Sequence, residues 1–174
     1  YKLAHKTGTI KGITTYRDGT MATVLADANA KVDITSTRPK NVECDIHVIK
    51  YKKVRHIVLI GLVNGEPYEV FAFKEKNIKF TNIKQGHLVK VKKGCYNLRT
   101  DYFVMEDIQQ HFDRCEESAI TRMISHSLRA GCPISRVHDQ LMKSKDAIMS
   151  FSRTIARALS TYVKELSDLS IIHI

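Results

Sequence analysis

The chain has 174 residues, 43% of them hydrophobic and 26% charged, and carries 28 Lys and Arg against 18 Asp and Glu, a net charge of +10. That length holds one domain, or one domain with an appendage, around a real core. The composition is that of a globular protein, and no apolar run approaches the ~20 residues of a membrane helix. The basic excess either favours anionic partners or serves solubility alone.

The opening YKLAHKTGTIKG has no secretory pattern and no initiator Met, so the chain reads as a fragment or a processed product. Residues 1–7 read as the tail of a helix stopped at Gly8, and Ile10–Tyr16 as a short strand. Arg17-Asp18-Gly19-Thr20 is a turn by its Asp-Gly. Residues 21–41 are small and polar, without period. They end in Arg38-Pro39-Lys40, where Thr37 and Arg38 should be extended because a proline follows. This is the expected linker.

Val42–Tyr51 alternates Val42, Cys44, Ile46 and Val48 against Glu43, Asp45 and His47, which is a strand with one wet face. Lys52-Lys53 turns the chain into Val54–Val63, where Ile57–Val63 is uncharged and apolar on both sides, as in a strand at the middle of a sheet. Asn64-Gly65 then signals a type I′ hairpin into Tyr68–Phe73, with Glu69 placed on the wet face. These three strands read as an antiparallel meander, with this hairpin at the sheet's centre.

Lys74–Gly86 reads as a loop with a short strand at Ile78–Phe80. His87–Lys93 is a further strand whose lysines suit an exposed face or blunt an edge. Tyr96–Leu98 and Tyr102–Met105 form another hairpin. Lys90, Lys92, Lys93 and Arg99 make the densest basic patch of the sheet, either a solvated edge or a polyanion site.

From Glu116 the period becomes helical, with Ala119, Ile120, Met123, Ile124, Ser127 and Leu128 on one stripe and Gly131 as the left-handed cap. Ile134–Met142 is a second helix and Ala147–Leu166 a third. Strands followed by helices give an α+β fold: an antiparallel meander of about five strands packed against three C-terminal helices.

The chemistry is sparse. There is no dinucleotide fingerprint, P-loop, nucleophile elbow or zincin motif. Cys44, Cys95, Cys115 and Cys132 are too scattered for a zinc ribbon or a disulfide scaffold, and read as free thiols of a cytoplasmic protein. His111 and Cys115 would share one helix face but make an incomplete ligand set. His47 and His56 read as neutral surface histidines facing each other across the first hairpin.

Three blocks carry a resemblance. KGITTYRDGT at 11–20 resembles the end of the catalytic barrel of adenosylcobalamin-dependent (class II) ribonucleotide reductases. Residues 38–73, with the strings RPKNVECDIH and VNGEPYEVF, look like the region that follows in that family. Residues 118–164 are similar to its helical end, the small domain named for a Thr-Ser-Cys-Pro-Asp motif. At the place of that motif this chain has Met149-Ser150-Phe151-Ser152-Arg153, and it shows neither the family's barrel active-site segments nor its C-x-x-C tail.

The resemblance therefore implies membership of a reductase but transfers no catalytic, metal or redox residue. It implies a barrel-end remnant and linker at 1–41, an α+β accessory domain at 42–166 and a tail at 167–174. The expected role is to dock on and complete a catalytic barrel for deoxyribonucleotide synthesis, with adenosylcobalamin held by that partner and none in this chain. Cys44, matching a family cysteine by place only, is expected to be a core residue. The alternatives are a basic nucleic-acid-binding module, non-enzymatic, and a domain that binds a nucleotide regulator.

Overall fold

The computed structural model describes residues 37–51, 53–143 and 149–170, with 51, 149, 150 and 164–170 described by their backbone only. These residues lie in the unit Ile34–Ile174. The expected strand at Ile10–Tyr16 and the turn at Arg17–Thr20 lie outside them.

The fold is α+β. Six strands, β1 (Asn41–Tyr51), β2 (Val54–Val63), β3 (Glu66–Lys74), β4 (Gln85–Lys92), β5 (Cys95–Arg99) and β6 (Val104–Met105), are followed by a 3-10 turn at Ile108–His111. Three helices come next: α1 (Cys115–Arg129), α2 (Ile134–Met142) and α3 (Met149–Ser170). α3 continues four residues past Leu166, where the apolar stripe was expected to end.

The strand order is β3-β2-β1-β4-β5-β6, antiparallel at each described pairing. The meander holds for β1–β3 and is then broken, because β4 returns to pair with β1. The hairpin β2–β3 is thus at one end of the sheet, not its centre. Pro67, within β3, gives the physical reason: a residue without an N–H fits an edge strand. The turn chemistry is as expected, with Asn64 at φ 54° and Gly65 at φ 80°. β4 is interior, so its lysines do not blunt an edge. Ile78–Phe80 forms no strand; Phe80 plugs the core instead, its N–H bonded to Glu75 Oε1 at 3.0 Å.

Alternation in β2 and β3 feeds two cores. Val58, Ile60, Val70 and Ala72 pack with Ile124, Leu128, Phe151, Ile155 and Leu159 of the helices. Ile57, Leu59, Phe71 and Phe73 face the other way, into a core that also holds Val42, Cys44, Leu88, Leu98, Phe80 and Ile108. Burying a side chain such as Val58, Ile60 or Val70 contributes about 1.5–3 kcal/mol. Three of them sum to a sizeable share of a domain's total stability of about 5–15 kcal/mol. The helices are therefore integral to the fold.

α1 covers the edge that β3 would otherwise expose. Ser125 Oγ accepts from Val70 N–H at 2.9 Å and lies 2.7 Å from the Thr121 carbonyl, to which it donates. This anchor rotates the helix away from the expected stripe: Glu117, Thr121, Ile124, Ser125 and Leu128 are buried, while Met123 is 65% exposed. The cap at Gly131 (φ 76°) forms as expected, with Cys132 N–H bonded to Ser127 O and Gly131 N–H to Leu128 O, both at 3.0 Å.

Candidate functional site

Glu69 is the main departure from the sequence reading. It is on no wet face: it is 0% exposed, because residues 69, 71 and 73 point into the second core. Its partner across the sheet is Gly61, where a Cβ would come within 2.7 Å of Glu69 Cγ. The missing side chain makes room for the carboxylate. An unpaired buried carboxylate is prohibitively costly, so charge must be brought to it.

Two arginines do so. Arg38, from the segment ahead of β1, bonds both carboxylate oxygens through Nε and Nη2, with Nε at 2.9 Å from Oε2. Its other donors meet the Pro39, Lys40 and Leu88 carbonyls, and its guanidinium lies 5.0 Å from the Tyr96 ring centroid. Arg129, in the last turn of α1, reaches Oε2 at 2.5 Å and stacks at 5.0 Å over Tyr68. The Arg38 side chain is 5% exposed and that of Arg129 33%, so the clamp is dry on one side and wet on the other. By sequence alone Arg38 is only part of a linker. The sequence did carry one signal: Glu69 shares its strand parity with Phe71 and Phe73.

A second polar network joins sheet and helix. Tyr162 OH, on α3, donates to Asp45 Oδ2 at 2.6 Å and lies 3.4 Å from His47 Nε2. Burial holds the His47 pKa below its usual value, against the pull of Asp45. His56 is buried, with Nδ1 lacking a hydrogen-bond partner; burial and then the Lys74 charge hold its pKa down. His56 is therefore not the surface histidine expected, whereas His47 is half-buried. They are also not opposite one another, because His47 pairs with Val58 and His56 with Ile49. Cys44 is a core residue, as expected, and burial, Asp45 and Glu69 raise its pKa well above the usual thiol value.

The basic patch is divided. Lys92 and Lys93 are exposed at the β4–β5 turn, and Lys90 pairs with Tyr96. Arg99 pairs with His87 three residues along the strand, about 10 Å away. Alternation from the buried Leu88 and Leu98 sends Lys90 and Arg99 to opposite faces. His111 and Cys115 do not share a helix, because the extended Phe112 separates the 3-10 turn from α1. Among the described residues no group of three His, Cys, Asp or Glu is placed to hold a metal ion, and no helix is long and apolar enough to cross a membrane.

Taken together, fold and clamp define a small α+β domain whose entering segment is pinned to it by a buried ion cluster. The chain belongs to the family described as the NrdJ homologue C-terminal domain, whose profile matches residues 42–164. It thus contains a C-terminal region related to the class II ribonucleotide reductase NrdJ. Comparison with curated proteins and with solved structures gave no match.

Proposed function

We propose that this chain is the accessory C-terminal part of an adenosylcobalamin-dependent ribonucleotide reductase, docking on and completing a catalytic barrel that performs the chemistry. The observation that carries the reading is the family match over 42–164. Arg38 lies ahead of the matched span, and its bonds to Glu69 and the Leu88 carbonyl tie residue 38 to the domain.

Adenosylcobalamin would supply the radical in the barrel. The described clefts, about 170–700 Å³, are of a size that takes small-molecule ligands. On this reading, as the resemblance implies, the barrel partner holds the cofactor.

The test is to mix the purified chain with a class II catalytic barrel that lacks this region, and to measure complex formation by sedimentation and ribonucleotide reduction by product assay. The reading expects a complex and a gain in turnover. Finding no complex and no change in turnover would sink it.

A second reading, a non-enzymatic nucleic-acid module, rests on the exposed Lys92–Lys93 turn and the net charge of +10. It expects a single-strand affinity that falls steeply with salt as counterions are released. Indifference to DNA at low salt removes it.

A further inference from the structure

A cleft of about 330 Å³ lies between α1 and the β4–β5 hairpin. One wall carries Arg122, His126 and Arg129. Their spacing of i, i+4 and i+7 puts all three on one helix face. The other wall carries the rings of Tyr96 and Phe112, with the amide of Gln109 beside them. No carboxylate is among the lining residues, in contrast to the cleft lined by Glu43, Asp45 and Asp101.

Charge balance points the same way. Glu69 faces two guanidiniums, so the buried cluster keeps one positive charge in excess. Arg38, the buried partner, is held by the carboxylate and three carbonyls. Arg129, one-third exposed, is the partner that lines the cleft. Arg122 donates from Nε to the Ser118 carbonyl at 3.3 Å, and its terminal nitrogens make no hydrogen bond to the described residues. Gly94 lines the rim, and Lys92 and Lys93 precede it in the exposed β4–β5 turn.

We propose that this cleft binds a small phosphorylated ligand carrying a flat ring. Guanidinium forks match phosphate oxygens in pairs, and the half-buried Phe112 is the wall ring left to meet a planar group, since Tyr96 already packs against Phe71 and Arg38. Lys92 and Lys93 raise the potential that draws the anion in. The inference does not depend on docking to a barrel, and it can fail or hold separately from that reading.

The test is calorimetric titration of the full chain at low salt with ADP, inorganic pyrophosphate and a short oligothymidine. ADP is expected to bind, and more tightly than pyrophosphate. Arg122→Gln and His126→Gln should each weaken ADP binding by about tenfold, the loss of a charge-assisted contact. Both residues are exposed and outside the clamp, so an unchanged melting temperature verifies that the variants fold. Arg99→Gln, on the far end of β5, should leave ADP affinity unchanged. Absence of ADP binding, or an affinity unmoved by Arg122→Gln and His126→Gln, overturns the site. Pyrophosphate binding as tight as ADP overturns the stacked ring. Oligothymidine binding tighter than ADP overturns the small ligand in favour of nucleic acid.

Discussion

Replacing Glu69 by Gln keeps the shape of the side chain and removes its charge. Two guanidiniums are then left facing a neutral amide. Arg38 is nearly sealed from water, so its loss of a partner is that of a broken buried ion pair, about 3–5 kcal/mol. Arg129 is one-third exposed and re-solvates, adding about 1 kcal/mol or less. A total near 4 kcal/mol lowers the melting temperature by about 10 °C for a chain of this size. Thermal unfolding of the full chain, followed by circular dichroism, reads this directly. Glu69→Met with Arg38→Met removes the carboxylate together with its buried partner, and should be clearly more stable than Glu69→Met alone. A fall of less than about 3 °C for Glu69→Gln, or no recovery in the double variant, would refute the reading of a dry, paired carboxylate.

Three further outcomes follow from the same contacts. Gly61→Ala places a Cβ against a side chain that the clamp prevents from moving, and should cost about 1–3 kcal/mol in urea unfolding; in a Glu69→Ala background most of that cost should vanish, so additivity of the two counts against the contact. Ser125→Ala strands the Val70 amide beneath α1 and should cost about 1–3 kcal/mol, with faster hydrogen exchange at that amide as the local readout. The lowered pKa values of His47 and His56 fix a sign: the unfolded chain binds more protons than the folded one just below about pH 6.5, so stability is full above that pH and falls as acid is added. Melting curves from about pH 7.5 to 5 should show that fall, with a smaller slope in His56→Gln; a melting temperature that rises on acidification contradicts the lowered pKa of the two rings.

The sequence made the local structure legible because local chemistry decides it. Asn64-Gly65 can supply two positive φ angles, and Gly131 can end a helix, whatever surrounds them. Val137 and Leu141 define the α2 face by spacing alone. Failure began where a choice between two similar faces was settled by distant partners. Two stripes of α1 differ by about one position, and the bond from Ser125 to the β3 edge selects the more polar of them. Pro67 marks an edge strand, and β3 is at the edge, whereas a meander of consecutive neighbours would put it in the interior. The basic patch was assembled from closeness in sequence, whereas strand alternation sends Lys90 and Arg99 to different sides.

Glu69 shows why a charged residue in a strand misleads. Period-two reasoning gives a sheet one wet face, and then any glutamate belongs to it. β2 and β3 have no wet face along their buried length, since both cores are apolar. In such a strand a carboxylate cannot be left alone, so the question becomes which cations are long enough to reach it. Arg38 comes from 31 residues before it and Arg129 from 60 residues after it. The same pairing leaves one guanidinium at the rim of an otherwise carboxylate-free cleft. Clamp and cleft are thus one electrostatic unit, with Arg129 shared between them. Glu69→Gln should accordingly free Arg129 and tighten anion binding even as it destabilises the fold, a pair of opposite effects that a purely structural ion cluster would not produce.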